Sequence, residues 1–139
     1  MSEININAAL ITAAAAALSS LSISNIAYEG RDFTPPAANT KWAAVFNLPA
    51  SSPPSSLGEG GQDEHLGILQ IDLNYPLNGG TQPHLAAADS IGTAFKAGTR
   101  FTYMGQCVLV RSCERGRIRN EDGWLRLSIS ITWVALTTR

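Results

Sequence analysis

This chain has little of what catalysis and metal binding usually need. It holds two cysteines and two histidines, and no G-x-S-x-G, H-E-x-x-H or C-x-x-C spacing occurs in it. Without those spacings, a serine-hydrolase elbow, a zinc-protease helix and a dithiol redox centre all lack their local signature. Cys107 and Cys113 stand six residues apart on what reads as one strand. At about 3.3 Å per residue their Cα atoms lie roughly 20 Å apart, beyond disulfide reach. Both are expected to be reduced, with Cys107 acting as a small apolar core residue. A zinc site would need two more soft ligands nearby, and His65 and His84 show no ligand-pair spacing. No cofactor is implied.

Charge is scarce too, at 15% of residues and a net −1, which argues against a dedicated nucleic-acid binder. Beyond the N-terminus, no window approaches the roughly 18 uncharged apolar residues of a membrane span. The N-terminus itself has no Lys or Arg before Arg31 and carries Glu3, so it lacks the positive start of a signal peptide. Its Ala-rich run, with Ile4, Ala8, Ile11, Ala15 and Leu18 recurring at helical spacing, reads as an amphipathic first helix of the mature domain.

What is present fits one domain: 139 residues, 45% of them apolar, bury a core without a staple. No internal repeat is found. The end of the chain is the clearest element. In Asp122 to Trp133, Leu125, Leu127, Ile129, Ile131 and Trp133 share one parity, and Arg126, Ser128, Ser130 and Thr132 the other. That is a long antiparallel strand with one buried and one wet face, opened by an Asp-Gly turn. Its polar side offers a surface to something outside the subunit.

Upstream, strands are expected at Ile23 to Tyr28, Lys41 to Leu48 and His65 to Tyr75. A second helix is expected to open near Thr81 and Pro83, to bury Leu85, Ala88, Ile91 and Phe95, and to stop at Gly98. Two further strands, 99–103 and 105–113, flank a Met104-Gly105 turn. The order suggests an α+β fold, a mainly antiparallel or mixed sheet with two helices on one face. Between the second and third strands, residues 49–64 form a long Pro/Ser/Gly-rich loop. It is expected to be mobile in a free monomer and to contact either a neighbouring subunit or another component of its assembly, with Leu57 as its anchor.

Charge divides along the chain. Residues 1–95 hold two cations against eight acids (net −6), and residues 96–139 eight cations against three acids (net +5). Such halves suit head-to-tail contact between copies. The candidate contact residues are Leu57, Glu59, Asp63 and Glu64 on one side and Arg115, Arg117, Arg119 and Arg126 on the other. Asn78-Gly79-Gly80-Thr81 lacks the Lys of a phosphate loop and reads as a turn plus helix cap. Asp63, Glu64 and His65 read as a solvated start to a strand, and His84 as a surface residue.

The ordered set of motifs resembles the tail terminator-like proteins of long-tailed bacteriophages. It runs through Phe33-Thr-Pro-Pro36, Trp42-Ala-Ala-Val-Phe-Asn-Leu-Pro-Ala50, Leu57-Gly58 and Gly67-Ile-Leu-Gln-Ile-Asp-Leu-Asn-Tyr-Pro76. It continues through Gly79-Gly80, Ala88-Asp-Ser-Ile91 with Phe95, Gly98-Thr-Arg-Phe101, Asp122-Gly-Trp124 and Ile129-Ser-Ile-Thr-Trp133. The resemblance implies a non-enzymatic virion protein, assembled in the host cytoplasm. It implies a ring, generally a hexamer, on the last ring of the tail tube. That ring stops tube growth and meets the head-side connector, and DNA passes through its lumen without specific binding. Another neck or tail component, such as a head-tail joining protein or a tube subunit, is the alternative. A small enzyme or ligand-binding domain is a more distant one.

Overall fold

The computed structural model describes residues 3–37 and 39–139. Met1, Ser2 and Ala38 lie outside the described residues. The first helix, α1, spans Glu3–Ser20. It ends in a Schellman turn: Ser22 takes a left-handed φ of 61°, its N–H donates to the Ser19 carbonyl, and the Ile23 N–H donates to Leu18. Leu18 and Ile23 are both buried, supplying the apolar contact of that motif. Because Ile23 closes the helix, the first strand, β1, is only Ile26–Tyr28 rather than the expected Ile23 to Tyr28.

β2 (Trp42–Ser51) and β3 (Gln62–Pro76) form a long hairpin, and α2 (Gln82–Ala94) follows. β4 (Arg100–Tyr103), β5 (Gln106–Arg115), β6 (Arg119–Glu121) and β7 (Trp124–Thr138) complete the chain. The sheet order is β1-β2-β3-β7-β5-β4, with β6 paired to β7 beyond the end of β5. All pairings are antiparallel except β1 with β2. The α+β expectation therefore holds, as a seven-stranded mixed sheet with both helices on one face.

β3 and β7 form the spine, paired from Gln62↔Thr138 to Pro76↔Trp124, about 50 Å of strand. The alternation seen in the sequence is the burial pattern: Leu69, Ile71 and Leu73 with Leu127, Ile129, Ile131 and Trp133 face the helices. β6 was not foreseen. Asp122 and Gly123 both have positive φ (53° and 82°), a hairpin turn that folds the polar Arg119–Glu121 back on β7.

The buried side of α1 differs from the expected stripe. Ile6, Ala9, Leu10, Ala14, Ala17 and Leu18 are buried, whereas Ile4 is 79% exposed. On α2 the buried residues are His84, Ala87, Ala88 and Ile91, joined by Phe95 just past its end, and Leu85 is half-buried. Thr81 precedes α2 without a side-chain cap bond.

Candidate functional site

Among the described residues, the second face of the sheet carries no helix. At one end, Phe33 packs on Trp42 with ring centroids 5.0 Å apart, and Trp42 meets Trp124 edge-on at 6.0 Å, forming a small second cluster with Ala44. From the Phe46–Gln70–Ser130 row to the opposite end, no element among the described residues covers this face. Gln70, Ser128, Ser130 and Thr132 make its middle polar. Past them lie Leu48, Ile68, Leu66, Leu109, Val134 and Leu136, half-buried or exposed. Apolar side chains of this size on an open face mark a contact surface rather than a solvated one.

At that apolar end the face deepens into a trough of about 610 Å³, lined in part by Glu64, Arg100, Cys107, Leu109, Val134 and Leu136. Met104 stands on it, 80% exposed, at the tip of the β4–β5 hairpin. Strands β3, β7, β5 and β4 all contribute, so no local stretch of sequence could announce it. Of its lining, only Glu64 stands among the contact candidates read from the sequence.

The remaining candidates divide. Leu57 is 95% exposed at the tip of the β2–β3 connection, and Glu59 beside it is exposed with no ion pair among the described residues. That connection is shorter and better tied than the expected mobile arm, because β2 runs to Ser51 and β3 starts at Gln62. Arg139 donates to the carbonyls of Ser56, Gly58 and Gln62 and pairs with Asp63. Strand alternation sends Asp63 and Glu64 to opposite faces. His65 is not solvated but bridges strands, with Ser52 Oγ at 2.9 Å from Nδ1 and Thr137 Oγ1 at 2.8 Å from Nε2.

The arginine run is also split. Arg115 ends β5, touching the Gly116 carbonyl at 3.5 Å, and Arg117 is exposed in the following link. Arg119 and Arg126 instead hold Glu121 between them, and Arg126 Nε donates to Asn74 Oδ1 at 2.7 Å. The hydrogen bond from Arg119 holds the Glu121 carboxyl below its usual range, and the Arg126 charge adds to this. These two cations are committed within the subunit.

His84, expected on the surface, is fully buried and packs on Tyr75 with ring centroids 4.4 Å apart. The first turn of α2 lies down on β3, which brings His84 onto the core side. Burial pushes its pKa down, offset in part by the nearby Leu73 backbone, which favours the uncharged ring. Cys107 and Cys113 both lie on β5, free and half-buried. Among the described residues no three His, Cys, Asp or Glu side chains gather as a metal site, and no helix is long and apolar enough to cross a membrane. What the arrangement supplies is contact surface.

An α+β subunit with a partly uncovered sheet face and an exposed loop tip offers surface for contact with other chains. Residues 5–133 match the phage tail terminator protein family, and the chain belongs to it. It is a structural protein of the phage tail and virion. One solved protein, whose name carries no functional description, superposes with a TM-score of 0.73 at 22% identity, covering 97% of this chain and 96% of its own. A chain from the virion of a native gene transfer agent particle superposes at 0.56 with 16% identity, again over 97% and 96%. Both likenesses concern the fold. No curated protein matches the chain.

Proposed function

We propose that this protein acts as one domain, residues 1–139, that closes with its copies into a ring at the end of the tail tube. The ring, six-fold by the family resemblance, stops tube polymerisation there and joins the tube to the head-side connector. The observation that carries this reading is the part of the sheet face, from the Phe46–Gln70–Ser130 row to the apolar end, that no described part of the same chain covers. A monomer gains nothing from Leu48, Leu136 and Met104 in water, whereas a subunit packed between copies buries them.

The charge distribution suits a DNA conduit that does not grip its cargo. Arg119 and Arg126 share Glu121, and Arg139 pairs with Asp63, so each of the three is engaged within the subunit. DNA affinity follows the number of phosphate contacts, so committing three arginines internally keeps passage loose. Glu59, Glu64, Arg115 and Arg117, which make no ion pair among the described residues, remain available for contacts between subunits or with the tube.

The test is elongation of the cognate tail-tube protein, followed by light scattering with increasing amounts of this protein. Tube length should fall while tube number holds, each tube stopping after one terminal ring. Tubes of unchanged length at a molar excess would refute the reading.

A further inference from the structure

Two features at the apolar end of the sheet match each other without meeting in one chain. The first is a knob. Leu57 is 95% exposed, and the carbonyls on either side of it, Ser56 and Gly58, both accept from Arg139. The tip is thereby held in shape before any partner arrives, which lowers the ordering cost of docking. The second is the trough, apolar through Leu109, Val134 and Leu136 and reached past Met104.

The knob carries Glu59, and the trough carries Arg100 together with Glu64. Glu59, two residues beyond the knob, and Arg100 in the trough are both exposed, and neither makes an ion pair among the described residues. Their places in the sheet are lateral. The knob joins β2 to β3, while the trough lies mainly over β7, β5 and β4, with Glu64 of β3 at its near wall. Both sit at the end where Ser51, Gln62 and Thr138 lie, hence at one height along the strands. A contact between one side of a subunit and the other side of the next, without a step in height, is heterologous and closes on itself when the rotation allows.

We propose that the Leu57–Glu59 tip of one subunit seats in the trough of a second copy. Leu57 packs on Leu109, Val134 and Leu136, and Glu59 faces Arg100. This rests on the ring reading and gives it a specific joint.

Cys107, a free thiol lining the trough, provides the reporter. In a Cys113→Ser background, the substitution Leu57→Cys falls at an exposed tip and does not disturb the fold. Mild oxidation of the assembled protein should link the introduced thiol to Cys107 of the neighbouring copy. A non-reducing gel then shows a ladder beyond the dimer, which collapses with reductant and is abolished by Cys107→Ser. Glu59→Arg or Arg100→Glu alone should weaken assembly about fivefold per contact at low salt, and the two together should restore it. Rings seen by electron microscopy that neither cross-link through this pair nor respond to the reversals overturn the joint and leave the ring reading standing. Absence of rings, both alone and on tube ends, overturns the ring reading and the joint with it. Cross-linking of Leu57→Cys to the tube protein in mixed assemblies overturns the second copy as the occupant.

Discussion

Trp133 on β7 lies over the backbone of Gly67 on β3, so close that a Cβ added at Gly67 would come within 2.5 Å of the indole ring. The two residues pair across the spine of the sheet, and Trp133 is 2% exposed. A large side chain is thus accommodated because its partner has none.

Gly67→Ala should therefore destabilise the fold. Backbone of β3 and a buried indole must both give way, which costs about 1–3 kcal/mol for overpacking of this kind. For a chain of this length that is a fall of several degrees in melting temperature, on the order of 3–15 °C. A calorimetric scan checks it, and an unchanged midpoint would show that Trp133 moves freely.

His84 should make stability depend on pH. Its folded pKa is lowered by burial, while the unfolded side chain titrates near 6.5. The native state thus favours the neutral ring. Its contribution is fully present above pH 6.5 and is lost as pH falls below that value toward the folded pKa. Urea midpoints measured from about pH 8 to about pH 5 should decline across this window. In His84→Phe, which keeps a ring against Tyr75, the decline should flatten. An equal slope in both proteins would assign the effect elsewhere.

Some of this was legible in the sequence and some was not, for identifiable reasons. Leu127, Ile129, Ile131 and Trp133 alternate with polar residues, so the face of β7 could be read directly. The face of α1 could not. Five consecutive alanines suit a buried or an exposed position equally, and Ile4 and Ile6 offer rival stripes; only docking on the sheet selects Ile6, Leu10 and Leu18. The burial of His84 is likewise a tertiary event, since a first-turn histidine carries no local mark of what it will face. The exposure of Leu57 could be read because an isolated apolar residue in a polar loop stands out. The trough was missed because its walls come from four strands. Arg119 and Arg126 were read as free cations because Glu121, their partner, sits across a hairpin that the sequence shows only as a turn.

Arg139 should govern the loop rather than the fold. Arg139→Ala removes the donors to Ser56, Gly58 and Gln62 and the pair with Asp63. These groups are largely at the surface, so the melting temperature should change little. Amide exchange across residues 52–61 should rise severalfold, while the β3–β7 spine keeps its protection. Unchanged exchange in the loop would mean that the arginine does not hold it.

The central claim, closure into a ring that ends a tube, is tested most directly by cryo-electron microscopy of the purified protein mixed with its tail-tube protein. The account predicts closed rings, six-fold by the family resemblance, each seated on one end of a tube that grows no further from that end. Open filaments of this protein, or copies incorporated along the length of the tubes, would contradict it.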